Sequence, residues 1–218
     1  IPSTHPCPPT ENEVDAVRTA LGLLGVVALI TANGYFVAVE FAFGAARRSR
    51  FLEQAEEGDR RSKRAIDVHR RLSFMLSGAQ LGITVTTLLV GFIAEPAIAS
   101  VIEPALIAVG VPESVTFGIS LTLALILATM AQMVFGELAP KNLAIAKPEP
   151  VARSLASSMW LFMRLAGPVI RLFDGSANRL LRMIGVEPVE ELRGAVSTEE
   201  LDLIVDSSAE SGHLTQSQ

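Results

Sequence analysis

The sequence predicts an all-α membrane protein: three transmembrane helices, short interfacial or half-inserted helices between two of them, and a cytoplasmic belt of interfacial helices. Three observations carry this reading. Residues 72–140 hold no Lys or Arg in 69 positions, although the 218-residue chain has 18 of them. Half of the chain is hydrophobic and only 19% is charged, against about 25% in an ordinary soluble domain. The basic residues gather in two blocks, nine at 47–71 and eight at 141–193, which flank the apolar stretches. With a net charge of −5, this pattern excludes a nucleic-acid binder of the usual kind. The single cysteine, Cys7, excludes a disulfide framework and a Cys-based metal site.

Residues 1–14 read as an extracellular tail, rich in Pro, with Glu11 and Glu13. No basic segment opens it, so it does not read as a signal peptide. A transmembrane domain follows over 15–147. Its spans are expected at about 17–46, 72–94 and 115–135, each reaching the roughly 20 residues a bilayer requires. Between the last two spans stand Glu95-Pro96, Glu103-Pro104 and Val111-Pro112. Proline lacks the N–H that a helix interior needs, so 95–113 is expected to break into short helices in the interface or partway into the membrane. The basic 47–71 loop belongs inside and the 95–113 loop, without Lys or Arg, outside. The expected location is the cell (plasma) membrane, with the N-terminus outside and the C-terminus cytoplasmic.

Residues 47–71 read as one solvated helix near anionic lipid, because Glu56/Arg60, Glu57/Arg61 and Asp59/Lys63 are acid-before-base pairs four apart. A lipid or nucleotide site there would require a pocket. Residues 148–185 carry Trp160 and Phe162 but are interrupted by Arg153, Arg164, Arg171, Arg179 and Arg182. The longest uncharged run is too short to cross, so this is the interfacial belt, divided at Gly167-Pro168 and at Asp174-Gly175. Residues 186–218 form an acidic linker with Arg193 as its one basic residue. Ser197 and Glu200 make a capping box before a weak apolar stripe, and Gly212 closes that helix.

Polar residues recur in the inner half of every span. At 1.5 Å per residue, Glu40 lies about 10 Å from the Arg47 anchor, and Gln80 and Gln132 each about 13 Å from Arg71 and Lys141. Thr84, Thr86 and Thr87 lie deeper. A carboxylate inside a membrane is costly unless paired or wet, so Glu40 and Glu137 are candidate functional groups. Structural glue is the alternative reading of both. In Gly136-Glu137-Leu138-Ala139-Pro140-Lys141, Pro140 cannot donate to the Gly136 carbonyl. That oxygen beside a carboxylate is the kind of ligand a cation uses at a broken helix; the plainer reading is a helix that stops at Pro140. Gly78-Ala79-Gln80-Leu81-Gly82 spaces two glycines for close helix approach, within the chain or across a dimer.

These residues resemble the CNNM/CorC family, also called hemolysin-like. The resemblance rests on Asn33-Gly34-Tyr35-Phe36-Val37-Ala38-Val39-Glu40-Phe41-Ala42, Arg47-Arg48-Ser49-Arg50, Ala55-Glu56-Glu57-Gly58, Gln80-Leu81-Gly82-Ile83-Thr84 and Gly136-Glu137-Leu138-Ala139-Pro140-Lys141, and on the acidic stretch from Glu199 to Gly212. It covers nearly all of 15–214. It implies a homodimer, a pair of CBS domains after the acidic linker that sense nucleotide, and Mg²⁺ transport or efflux. The chain is then the membrane part that precedes the CBS pair. It also implies a cation site with Gly136 and Glu137 as metal ligands; Glu40, Gln80, Thr84 and Thr87 are the further cation-binding candidates of this chain. The magnesium-transporting members carry Ser where this chain has Val37 and Val39, and Asn where it has Ile83 and Thr87. The pattern Val-Ala-Val-Glu-Phe-Ala resembles a subgroup associated with organic polycation export. The expectation is therefore a transporter of Mg²⁺ or another divalent cation. An exporter of polyamines, or a membrane scaffold holding envelope or membrane partner proteins, are the alternatives. No nucleophile with a base, phosphate loop or His cluster appears, so no enzyme is expected.

Overall fold

The computed structural model describes residues 11–186, and among these there are helices and no strands. Helix α1 spans Glu11–Ala45, α2 Arg48–Glu56, α3 Arg60–His69, α4 Leu72–Ala108 and α5 Glu113–Ala131. A π-helical segment, Gln132–Leu138, leads directly into α6, Ala139–Ala146. Helices α7, Pro148–Leu165, and α8, Gly167–Met183, complete the described chain. Three stretches are long and apolar enough to cross a membrane: Asp15–Ala45, Leu72–Ala108 and Glu113–Ala146.

Several boundaries differ from those expected. Helix α1 starts within the tail assigned to 1–14. Helix α4 does not break at Pro96 or Pro104 but runs through both to Ala108, so no separate short helices form in 95–108. Each proline removes one intrahelical bond; packing offsets that loss, because this half of α4 lies along the start of α1. The Thr19 and Ser100 hydroxyls are 3.3 Å apart there. A Cβ on Gly22 would come within 3.0 Å of the Ala97 Cβ, so the absence of a side chain at Gly22 permits the approach. Pro112 instead caps α5. The third span does not stop at Pro140, since the π segment and α6 carry it on to Ala146.

The basic loop is two helices and not one. Gly58, with φ +95°, turns the chain between α2 and α3. The turn separates Glu56 from Arg60 and Glu57 from Arg61, while Asp59 and Lys63 both fall on the α3 side, and none of the three pairs forms an ion pair among the described residues. Asp59 does other work. It caps α3 by accepting from the Arg61 N–H at 2.9 Å, accepts from the Ser62 hydroxyl at 2.8 Å, and binds the Arg153 guanidinium of α7 at 3.1 Å. Helix α3 is also not simply solvated, because Ser62, Ala65, Ile66 and Val68 are buried against the belt. Asp174-Gly175 does not divide α8; the Asp174 carboxylate accepts from Ser77 of α4 at 3.0 Å. The acidic linker, its capping box and Gly212 lie outside the described residues.

Two apolar clusters fill the bundle. The outer-numbered one joins Val26 and Ile30 of α1 to Val90 and Ala94 of α4 and Ala128 of α5. The larger one joins Val39, Ala42 and Phe43 of α1 to Met75 and Ala79 of α4, and these to Phe51, Val68, Ala144, Ala156 and Met159 of the surrounding helices. Small residues on α4 let this happen. Gly78 faces Ile170, Met159 and Phe162, and Gly82 lies under the Phe36 ring, so both glycines pack within the chain.

A Cβ on Gly82 would lie 2.6 Å from carbons of the Phe36 ring, whereas Gly25 has nothing within 4 Å. Gly82→Ala should therefore destabilise the folded protein by about 1–3 kcal/mol, and Gly25→Ala should not. Thermal melting in detergent compares them, and equal melting points would show that Phe36 yields freely. A second expectation concerns charge. The Arg61 N–H and then the Ser62 hydroxyl hold the Asp59 pKa below its ordinary value; burial opposes them, and Arg153 adds a smaller lowering. A lowered folded pKa stabilises fully above the unfolded value, near 4, and the contribution disappears as pH falls through the lower folded value. Asp59→Asn should lower the melting point at neutral pH, with the gap to wild type closing in acid below the ordinary carboxylate range. A gap that stays constant into strong acid would exclude the charge as its source.

Candidate functional site

Between the two apolar clusters lies a polar layer. Asn33 of α1 is fully buried, and its position follows from the helices that flank it. Its Nδ2 donates to the Gly136 carbonyl of the π segment at 3.0 Å. Its Oδ1 accepts from the Thr86 hydroxyl at 2.7 Å and from the Thr87 hydroxyl at 3.2 Å, both on α4. The Thr86 hydroxyl also lies 2.8 Å from the Gly82 carbonyl, so its one proton is shared. Gln132 Nε2 reaches the Thr87 oxygen at 3.5 Å. One side chain thus ties all three spans together.

The local sequence explains the geometry. Pro140 has no N–H to offer Gly136, so this carbonyl is available to a side chain. Asn33 takes it. Gly34, next in sequence, lets α1 come close: a Cβ there would sit 3.1 Å from the Phe135 carbonyl oxygen and 3.4 Å from Pro140. Gly136 likewise leaves room for the Gln132 amide, whose atoms lie 3.1 Å from where its Cβ would be. The Gln132 Oε1 is buried and has no hydrogen-bond partner among the described residues. Single π-helical turns of this kind occur frequently at functional sites.

Beside the layer, between α4 and the α5–π helix, runs a groove of about 370 Å³. Thr87, Thr129 and Gln132 line its middle, Glu95 and Glu137 belong to its lining as well, and Val90 contributes apolar wall. The helices are antiparallel at the Gln132–Thr87 contact. Glu95 is eight residues beyond Thr87 and Glu137 five beyond Gln132, so the two acids stand about 20 Å apart along the bundle at 1.5 Å per residue.

The expected site residues separate into groups. Glu137 and Thr87 line the groove. Gly136 is buried in the polar layer, its carbonyl held by Asn33 and not open beside the Glu137 carboxylate. Glu40 is half-buried on α1 and is not part of the groove lining. Gln80 and Thr84 are exposed on α4, where the Thr84 hydroxyl bonds the Gln80 carbonyl at 2.8 Å. Lys141 does not pair with Glu137; its ammonium sits 4.7 Å from the Phe41 ring centroid. Val37 and Val39 are buried apolar residues, so hydrocarbon fills the positions where a hydroxyl ligand was missing. Among the described residues no three of His, Cys, Asp and Glu gather to hold a metal ion. Asn33, Thr86 and Glu95 were not among the expected ligands. Asn33 had a signal in the sequence, as the amide in the uncharged run 19–39.

Three apolar spans joined by a buried polar layer define a multi-pass helical membrane domain. The family model for the cyclin M (CNNM) transmembrane N-terminal domain matches residues 24–218, and the chain belongs to this family. It is similar to the UPF0053 protein MT1890 of Mycobacterium tuberculosis, 45% identical over 93% of this chain and 44% of that protein. It is also similar to the uncharacterized protein Rv1841c of Mycobacterium tuberculosis, 38% identical over 92% of this chain and 55% of that protein. The UPF0053 protein YhdT of Bacillus subtilis is 38% identical over 91% of this chain and 43% of that protein. The chain spans about half the length of the curated relatives it matches.

Asn33→Ala should leave the Gly136 carbonyl without its side-chain donor, at a cost of about 1–3 kcal/mol for a buried group left unsatisfied. Thermal melting of the purified variant measures this. A melting point equal to wild type would show that the layer is hydrated and that Asn33 does not hold it.

Proposed function

We propose that this membrane domain moves a cation across the bilayer through the α4–α5 groove. The carrying observation is the groove's composition: Glu137, Glu95, Gln132 and two threonine hydroxyls share one cavity between spans. Acidic and amide groups there are expensive unless they serve a polar species. Mg²⁺ or another divalent cation fits best as cargo. Mg²⁺ sheds water reluctantly and is held by one or two carboxylates while keeping several waters. Six waters at about 30 Å³ each occupy about 180 Å³, well within the groove. Glu137 would then meet a hydrated ion, with Thr87 and Thr129 bonding its water shell.

A polyamine is the second reading, supported by the separation of the two acids. Carboxylates at the two ends of an elongated groove match a linear molecule with ammonium groups at both ends. In either case Glu40 contributes less than Glu137, being outside the lining. We place the 47–71 helices and the chain after Lys141 on the cytoplasmic side, by the distribution of basic residues.

The test is flux into proteoliposomes containing the purified protein, with Mg²⁺ and a polyamine offered separately and in competition. Glu137→Gln, which keeps volume and removes charge, should reduce flux at least tenfold. Glu40→Gln should reduce it less. Gln132→Leu should lower flux while leaving the melting point unchanged or raised, because it removes a buried oxygen that has no partner among the described residues. Normal transport by Glu137→Gln would remove the groove from the path, and no flux of either cation by the wild type would favour a scaffold.

A further inference from the structure

A second cavity, of about 760 Å³, lies where the α3–α4 junction meets α7 and α8. Arg70 and Arg71 come from the junction, Arg164 from α7 and Arg171 from α8; Asp67 is the one acid in its lining. Phe74 and Trp160 form an aromatic wall. The Arg164 guanidinium carbon lies 5.6 Å, and that of Arg64 on α3 4.5 Å, from the Trp160 ring centroid, which fixes this wall. Arg171 spends one N–H on the Gly167 carbonyl at 3.2 Å. None of the four lining arginines forms an ion pair among the described residues.

Four guanidiniums against one carboxylate leave a surplus of three positive charges in a concave site. Their mutual repulsion is relieved by an anion, and the planar guanidinium fork matches phosphate oxygens in pairs. The location selects the source of that phosphate. Leu72, beside Arg71, begins a membrane-crossing helix, so the cavity sits at headgroup level. Next to it α7 and α8 expose Leu165 (73%), Leu172 (67%) and Phe173 (59%), an apolar surface for acyl chains. A basic amphipathic helix of this kind lies in the interface, and basic pockets between helices take anionic headgroups.

We propose that this cavity binds the phosphate of an anionic phospholipid, with Arg70, Arg71, Arg164 and Arg171 as its ligands. Lipid then fastens α7 and α8 to the start of α4. A soluble phosphate shares the chemistry but has no use for the apolar surface beside it.

Trp160 is the chain's one tryptophan, so its fluorescence reports this cavity. The purified protein in neutral detergent is titrated with phosphatidylglycerol or phosphatidylcholine brominated on the acyl chains. Phosphatidylglycerol should quench at a concentration at least tenfold lower. In Arg70→Gln/Arg164→Gln that preference should fall to threefold or less, while Arg48→Gln/Arg61→Gln, on exposed arginines of α2 and α3, should keep it. Equal quenching of the wild type by both lipids, or equal loss in both variant pairs, would overturn the proposal. Inorganic phosphate at millimolar concentration should not displace the lipid; complete displacement would reassign the cavity to soluble phosphates. The wild-type titration needs no variant, so the test stands even if a substitution prevents folding.

Discussion

The buried amide of Asn33 is the constraint around which the three spans are arranged. Within a bilayer, apolar side chains give helices little reason to choose one register over another, because lipid tails offer equivalent contact. An amide is different. Its donor and acceptor must each face a partner on a neighbouring helix or remain unpaired in hydrocarbon. Asn33 meets that demand with the Gly136 carbonyl on one side and the Thr86 and Thr87 hydroxyls on the other. The register of α1 against both other spans follows from these bonds.

Close approach makes the bonds possible. Gly34 brings α1 against the Phe135 carbonyl and Pro140, and Gly82 receives the face of Phe36. Pro140 leaves a carbonyl without its helical donor, and the π segment shifts the backbone over the same turn. Together they put a backbone oxygen where α1 can reach it. The same segment carries Gln132 and Glu137 to the groove. The packing device and the candidate cation path therefore share one irregular stretch of seven residues.

The sequence made the spans legible because hydrophobicity and the absence of Lys and Arg are additive, local properties. It made the acids visible for the same reason. Helix breaks were less legible. Pro96 and Pro104 oppose a helix locally, yet neighbours along α1 hold α4 together around them, and no local rule contains those neighbours. Gly58 was available as a breaker of the basic loop, but the charge pairs around it argued for one helix; the turn and the Asp59–Arg153 contact depend on α7, more than ninety residues away. At the site, Glu137 and Thr87 could be picked out one by one. Which way Gly136 points depends on Asn33, 103 positions away, and spacing within a motif does not carry that information.

The belt is joined to this layer over a short distance. Tyr35, two residues after Asn33, donates to the Ser158 hydroxyl of α7 at 2.8 Å. Its neighbour Phe36 packs edge-on against Phe162, also on α7, with ring centroids 4.9 Å apart, while its face covers Gly82 of α4. Ser77 of α4 binds Asp174 of α8. The belt helices thus hold two of the three spans that Asn33 joins, within one turn of it on α1 and about two to three turns from Thr86 and Thr87 on α4. Interiors packed this closely transmit displacement, because there is little free volume to absorb it. A shift of α7 has to move Tyr35 and Phe36, and these cannot move without the turn that carries Asn33. The belt therefore supports the polar layer as well as covering the ends of the spans, and the arginine cavity at the α3–α4 junction lies within that support.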